Sequence, residues 1–120
     1  MSITNNQSNI LNQNIGIAGC GEMGYPMLKM LLQNNINATG HDIKASENFK
    51  DFGERYIPSK ADFFLKNNVV LSIVRDTKET EDLLIKNNAL LSKKRVTILI
   101  CSTLPITYIK KLKKKLESFQ

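Results

Sequence analysis

The sequence of 120 residues predicts an α/β fold in which helices cover both faces of a doubly wound parallel sheet. Apolar or β-branched runs alternate with helical patterns along the chain, as in right-handed β-α-β units. At the start of this alternation, an apolar strand runs directly into three closely spaced glycines and then into a helix. The length and the 42% content of hydrophobic residues suit a single domain with one core.

The first strand is predicted over 14–18 and leads into the segment Gly19-Cys20-Gly21-Glu22-Met23-Gly24. This Gly-x-Gly-x-x-Gly spacing between a strand and a helix is typical of a Rossmann-type dinucleotide-binding domain. Gly19 allows a tight turn, Gly21 lets the backbone approach a pyrophosphate, and Gly24 lets the helix pack closely on the strand. Unpaired N–H groups and the helix dipole at that helix start favour an anion.

The following elements are predicted from periodicity and from cap residues. The first helix covers 23–33 and the second strand covers 37–41. A short helix begins at Ser46 and stops at Gly53. Tyr56-Ile57 is expected to form a short third strand, which would make five strands in all.

The second half of the chain continues the alternation of helices and strands. Five more elements are predicted, in this order: a helix capped by Ser59, a buried strand over 69–74, a helix from Thr77, a strand over 96–101 and a last helix that begins near Pro105. Ala61, Phe64 and Leu65 are expected to point into the core, as are Met30 of the first helix and Cys101 at the end of the fifth strand.

Asp42 follows the second strand, 18 residues after Gly24. In Rossmann domains an acidic residue about 20 residues beyond the glycines accepts hydrogen bonds from the adenosine ribose. Its charge would repel the 2′-phosphate of NADP, so NAD is the expected cofactor. Lys44 keeps NADP as the alternative, because its ammonium group would pair with such a phosphate. A simple turn or capping role for Asp42 also remains open.

The charge and the cysteines bear on partners and location. The formal net charge is +6, and the five lysines between Lys110 and Lys115 account for most of it. No aromatic residues are interleaved with these lysines, so a solvated helix face is expected rather than a nucleic-acid surface. No apolar run approaches the ~18 residues of a membrane span. Cys20 and Cys101 lie far apart and the chain has one histidine, so we expect no metal and a cytoplasmic location.

The segment over 19–27, Gly-Cys-Gly-Glu-Met-Gly-Tyr-Pro-Met, resembles the GLGxMGxPM signature of the β-hydroxyacid dehydrogenases. That family includes 3-hydroxyisobutyrate, tartronate semialdehyde and 6-phosphogluconate dehydrogenases. The resemblance continues through Asp42, through 69–76, which is similar to the DVVxxMxPD strand and loop, and through 102–105, which is similar to the D-x-S-T-x-x-P turn. Arg75 stands where the family pattern has Pro, and Glu22 where Asn is frequent.

This resemblance implies an NAD(P)-dependent oxidoreductase that transfers a hydride between the nicotinamide and a small β-hydroxyacid or its aldehyde or keto product. It also implies which residues contact each part of the cofactor. They are Cys20, Glu22 and Met23 at the pyrophosphate, Asp42, Ile43 and Lys44 at the adenosine ribose, Val74, Arg75 and Asp76 in the adenine-side loop, and Thr103 at the nicotinamide end, with Ser102 on the substrate side.

The Asn- and Gln-rich start of the sequence predicts a disordered polar leader over 1–13, and the resemblance implies a dinucleotide-binding domain over 14–120. In the family the Ser-Gly-Gly substrate loop and the catalytic lysine follow the cofactor domain, and this sequence contains neither. The C-terminal catalytic and dimerisation domain is therefore expected to be absent, and no residue of this chain is assigned a catalytic role. We expect cofactor binding without turnover. A noncatalytic nucleotide-binding or interaction module is the alternative.

Overall fold

The computed structural model describes residues 13–19, 21, 23–43, 46–86, 90 and 95–118. The strands within these ranges are β1 (Ile15–Ala18), β2 (Ala38–His41), β3 (Val69–Ser72) and β4 (Thr97–Ile100). The helices are α1 (Gly24–Gln33), α2 (Lys60–Lys66), α3 (Thr77–Leu84) and α4 (Ile106–Glu117), and a 3₁₀ segment covers Ser46–Arg55. Apart from Gln13, the expected polar leader lies outside the described residues.

The four strands form one parallel sheet in the order β2-β1-β3-β4. Ile15 at the start of β1 pairs with Ala38 on one side and with Val69 on the other. The chain therefore moves from β1 to β2 in one direction and returns past β1 to build β3 and β4 in the other. This reversal creates a topological switch point between β1 and β3, and ligands of such sheets bind beyond the carboxyl ends of the strands there.

Apolar residues pack against both faces of the sheet, which confirms the doubly wound α/β prediction. Neighbouring β1 residues point to opposite faces, since Ile17 and Ala18 belong to different clusters. One cluster, which includes residues of α2, α3 and α4, consists of Ala18, Phe63, Phe64, Val70, Leu83, Leu84, Leu90 and Leu112. The other, which includes residues of α1 and the 3₁₀ segment, consists of Ile17, Leu28, Ala38, Phe49, Phe52 and Tyr56.

The predicted third strand at Tyr56-Ile57 does not form. Tyr56 makes only an isolated parallel bridge to Gly40, and the Ile57 N–H donates to the Gly40 carbonyl at 2.8 Å. The Tyr56 ring stacks on Phe49 with 4.7 Å between ring centroids. Because its side chain anchors this segment in the core, a single contact with the edge of β2 replaces a continuous ladder. The sheet consequently has four described strands rather than five.

Four residues expected in the core are instead exposed. One of them is Ala61, in the first turn of α2. Leu65 is 55% exposed because the completely buried Phe63 and Phe64 define the inner face of the short helix α2, and Leu65 lies one residue beyond it. Met30 is 58% exposed on the outer face of α1. Cys101 is exposed because it follows β4, an edge strand of the described sheet whose alternate residues face away from the core.

The other element predictions agree closely with the structure. Ser59 caps α2 by accepting a hydrogen bond from the Asp62 N–H at 3.2 Å. Gly53 interrupts the 3₁₀ segment with a φ of 55°, a conformation that favours glycine. The five lysines of α4 are all exposed, as expected for a solvated face. Among the described residues, no helix is both long and apolar enough to span a bilayer.

Candidate cofactor site

The turn after β1 requires glycine at its first position. Gly19 has a φ of 97°, and its N–H donates to the His41 carbonyl at 2.8 Å. A Cβ atom on Gly19 would lie 3.1 Å from the backbone of Ile73 and Val74. The turn is therefore held between the ends of β2 and β3, where a side chain would be both conformationally strained and crowded.

The other two glycines of the motif have different surroundings. Gly24 begins α1, and a Cβ atom there would lie 2.0 Å from the Gly19 carbonyl oxygen. A Cβ atom on Gly21 would meet no atom of the described residues within 4 Å. Gly24 is thus needed for close packing of the helix on the turn, whereas open space lies beside the backbone of Gly21. Cys20 and Glu22 lie outside the described residues.

The N-terminus of α1 provides backbone donors for an anion. Met23 occupies the N-cap position and makes no side-chain capping hydrogen bond, and the first turn of the helix carries no acidic residue. The first N–H groups of a helix have no partner within the helix, and its dipole is positive at this end. The Tyr25 N–H donates to the Gly21 carbonyl at 3.0 Å and Pro26 has no N–H, so a phosphate group here would bind the N–H groups of the turn that precedes them.

A cavity of about 390 Å³ lies at the carboxyl edge of the sheet, beside this turn. Seven of the predicted site residues line it: Gly19, Gly21, Met23, Asp42, Ile43, Val74 and Arg75. Five residues that the sequence did not assign to the site complete the lining: His41, Ile73, Glu79, Asp82 and Leu83. Arg75, Glu79 and Asp82 have the spacing of one helical face, and this periodicity was the signal that could have identified Glu79 and Asp82.

The backbone of Asp42 is held by a tyrosine that sequence reasoning did not assign to the site. The Asp42 N–H donates to the Tyr56 hydroxyl oxygen at 3.1 Å, and the Tyr56 hydroxyl donates to the Asp42 carbonyl at 2.9 Å. Tyr56 is itself buried in the core. The bulky ring beneath the end of β2 therefore positions the carboxylate that the sequence predicts at the ribose.

His41 forms a neutral part of the cavity wall. Its Nδ1 lies 2.9 Å from the Ile57 carbonyl oxygen, and since a carbonyl can only accept, Nδ1 carries the proton. Its ring lies against Phe63, with 5.4 Å between the ring centroids. Burial lowers the pKa of His41 below its usual 6.5, so the ring is uncharged at neutral pH.

Arg75 and Glu79 are joined by three hydrogen bonds. The Arg75 backbone N–H donates to Glu79 Oε1 at 2.9 Å, while Nε and Nη2 donate to Oε2 at 3.1 and 2.9 Å. The hydrogen bonds and charge of Glu79 raise the pKa of the Arg75 guanidinium above its usual range. The loop after β3 and the first turn of α3 are consequently tied together at the cavity.

Four predicted site residues do not line the cavity, and three, Cys20, Glu22 and Lys44, are not described. Asp76 caps α3 by accepting from the Glu79 N–H at 2.9 Å. Ser102 donates its hydroxyl hydrogen to the Val74 carbonyl, and Thr103 is exposed in the turn before α4. Gly24 packs beneath the turn, as described above. Lys44 lies outside the described residues. The predicted contacts of these residues with cofactor or substrate remain predictions.

A parallel sheet with a glycine turn and an uncapped helix N-terminus at its switch point defines a Rossmann domain of the dinucleotide-binding class. The family model for the NAD-binding domain of 6-phosphogluconate dehydrogenase matches residues 14–120. The chain therefore belongs to this family of NAD(P)-binding domains of dehydrogenases, which confirms the resemblance seen in the sequence. No protein of curated function matches the sequence.

Solved structures of oxidoreductases share the fold at low sequence identity. A variant of the imine reductase from Myxococcus stipitatus in complex with NAD⁺ has a TM-score of 0.78 and 14% identity, over 90% of this chain and 38% of its own. 3-Hydroxyisobutyrate dehydrogenase from Salmonella typhimurium has a TM-score of 0.76 and 16% identity, over 90% of this chain and 39% of its own. 3-Hydroxyisobutyrate dehydrogenase from Mycobacterium tuberculosis has a TM-score of 0.71 and 19% identity, over 89% of this chain and 37% of its own. The chain thus spans less than two-fifths of the length of these proteins.

Proposed function

We propose that this chain binds NAD in the cavity at the carboxyl edge of its sheet, as the cofactor-binding part of an oxidoreductase acting on a small β-hydroxyacid or its aldehyde or keto product. The observation that carries the proposal is the open space beside Gly21, next to the uncapped N-terminus of α1. A pyrophosphate needs both features, because its oxygens must approach backbone N–H groups closely.

The residues around the cavity suit the remaining parts of the cofactor. Asp42 would accept hydrogen bonds from the adenosine ribose, and the adenine would lie between Ile43 and the loop of Val74 and Arg75. Ile43 is 81% exposed and Met23 is 67% exposed, and both line the cavity, where a bound dinucleotide would cover their side chains. Ser102 and Thr103, after β4, would lie toward the nicotinamide end.

A bound nicotinamide would supply or accept the hydride, and the residues of this chain would bind and orient it. We propose that the chain alone does not turn over substrate, because none of its residues is assigned to general acid–base catalysis. Substrate would bind only in a complete enzyme. The 3-hydroxyisobutyrate dehydrogenases and imine reductases among the structural neighbours support an oxidoreductase with a small substrate.

The proposed partners are limited to the dinucleotide and, in a complete enzyme, the substrate. Two of the α4 lysines form ion pairs, Lys113 with Glu117 at 4.0 Å and Lys115 with Glu81 at 2.5 Å. These pairs support a solvated helix face and no specific nucleic-acid partner. We also propose a cytoplasmic location, which the absence of a CxxC motif and the wide separation of the two cysteines support.

Fluorescence titration with NADH and, separately, NADPH at two salt concentrations tests the proposal. The chain contains no Trp, so the nucleotide signal is not obscured. We expect saturable binding that favours NADH, and we expect Asp42→Asn to reduce this preference. Asp62→Asn, an exposed carboxylate in α2, serves as the control for lost charge. A folded sample that binds neither dinucleotide would instead support a noncatalytic interaction module.

A further inference from the structure

The adenine-side loop carries an ion pair for which the family resemblance provides no counterpart. Arg75 replaces the Pro of the resembling pattern, and Glu79 lies one helical turn further on, at the start of α3. Both residues line the cavity. Both charged side chains therefore lie in the part of the cavity that we assign to the adenosine end of the cofactor.

Glu79 holds Arg75 through both of its carboxylate oxygens. Two guanidinium N–H groups and the Arg75 backbone N–H donate to it, at 2.9 to 3.1 Å. The Arg75 side chain is 86% exposed, whereas that of Glu79 is only 22% exposed. Since Glu79 is the better packed partner, it determines where the guanidinium is held.

The charge of the described cavity lining is negative. It contains three carboxylates, those of Asp42, Glu79 and Asp82, and the guanidinium of Arg75 is its one described cation. His41 adds no charge at neutral pH, since burial lowers its pKa. Lys78 lies outside the lining, with its ammonium 3.8 Å from Asp82, and partly offsets that carboxylate. From these described residues, a 2′-phosphate would meet a surplus of negative charge, apart from any contribution of Lys44, which lies outside the described residues.

We propose that Glu79 is a specificity-determining residue that favours NAD over NADP, because it withholds the Arg75 guanidinium from a 2′-phosphate. This inference rests on the proposed function, since it concerns the same cavity and the same cofactor. An arginine presents a planar donor fork that suits phosphate oxygens, so its engagement by a carboxylate removes a suitable phosphate ligand. The selectivity would then come from two carboxylates, Glu79 as well as Asp42.

Glu79→Gln is the decisive variant. The amide keeps an oxygen that can accept from the Arg75 N–H, so the loop is expected to keep its shape. A neutral amide binds a guanidinium less strongly than a carboxylate does, and Arg75 becomes available to a phosphate. The dissociation constants for NADH and NADPH are measured for the wild type and for this variant, and their ratio is compared.

We expect Glu79→Gln to shift the ratio toward NADPH by about three- to tenfold at low salt, the effect of one charge at a partly solvated site. Glu117→Gln is the matched control. It also removes a carboxylate from an i,i+4 pair, that with Lys113, but on α4 and away from the cavity lining. It should leave the ratio unchanged. The double variant Arg75→Gln with Glu79→Gln should lose most of the gain, since the released guanidinium is gone.

Arg75→Lys alone provides a second test that does not depend on the stability of the Glu79 variant, because it keeps the positive charge beside Glu79 but not the guanidinium fork. If Glu79 withholds that fork from the phosphate, this substitution leaves the NADPH affinity nearly unchanged, whereas a severalfold loss would overturn the inference. An unchanged ratio in Glu79→Gln, with wild-type binding intact, would also overturn it and leave the proposed function standing. A wild-type chain that binds neither dinucleotide would refute both.

Discussion

The carbonyl oxygen of Gly19 lies 2.0 Å from the position that a Cβ atom would occupy on Gly24. The first and third glycines of the motif are therefore packed against each other, with no room for a side chain on Gly24. Around the second glycine, Gly21, no atom of the part of the chain that the structure describes lies within 4 Å of the corresponding position. One short motif thus contains positions that maintain the fold and a position that leaves room for a ligand, and mutation can separate these roles.

Gly24→Ala is expected to destabilise the domain by about 1 to 3 kcal/mol, the usual effect of an added methyl group in a packed site. The methyl group would force the start of α1 away from the turn after β1. Urea unfolding followed by circular dichroism measures the loss as a lower denaturation midpoint. An unchanged midpoint would show that the helix can shift without strain.

Gly21→Ala is expected to weaken NADH binding and to leave the stability nearly unchanged. Its φ is not in the left-handed region and its methyl group would enter open space, so stability should stay within about 0.5 kcal/mol of the wild type. The same methyl group would occupy the space that we assign to the pyrophosphate, and NADH affinity should fall at least about tenfold. Titration and unfolding of the same sample check both expectations, and equal effects in both assays would contradict them.

Tyr56→Phe removes the hydroxyl that bonds the Asp42 backbone. We expect a stability loss of about 0.5 to 1.5 kcal/mol, typical of one hydrogen bond, together with an NADH dissociation constant raised about threefold because Asp42 is less well positioned. Tyr25→Phe is the matched control, since the Tyr25 hydroxyl bonds the exposed Asp51 instead. If both variants weaken binding equally, the positioning role of Tyr56 is wrong.

Acidification should destabilise the domain through His41, the one histidine of the chain. Its pKa in the folded state lies below its usual value of 6.5 because burial disfavours the charged ring. The unfolded chain therefore takes up the proton first as the pH falls. Stability from this group is fully present above pH 6.5 and is lost as the pH falls toward the lowered pKa, by at most about 1.4 kcal/mol per pH unit.

Unfolding of the wild type and of His41→Gln between pH 7.5 and 5.5, about one unit either side of the usual histidine pKa, measures this contribution. The variant should show a flatter dependence in that range. The carboxylate Glu81 adds nothing there, since its pKa lies below 4.5 through its contacts with Lys115 and Tyr108. Parallel curves for the two proteins would assign the pH dependence to other groups.

Local patterns accounted for much of the fold and for part of the site. The glycine spacing, the helix start at Gly24 and the cap at Ser59 depend on residues within a few positions of each other, so the sequence carries them directly. The position of Asp42 after β2 follows from the same strand–turn–helix spacing. The family membership shown by the match over residues 14–120 agrees with the motif that first suggested it.

The sequence by itself determined the alternation of strands and helices, the glycine turn and the class of ligand, because these follow from backbone geometry and short-range spacing. Only the tertiary structure decided that Tyr56 anchors Asp42 in place of forming a strand, that His41 lies at the cavity against Ile57, and that Cys101 is exposed beside an edge strand. Each of these depends on which elements pack against one another, and side-chain packing between distant segments is not encoded in any local pattern.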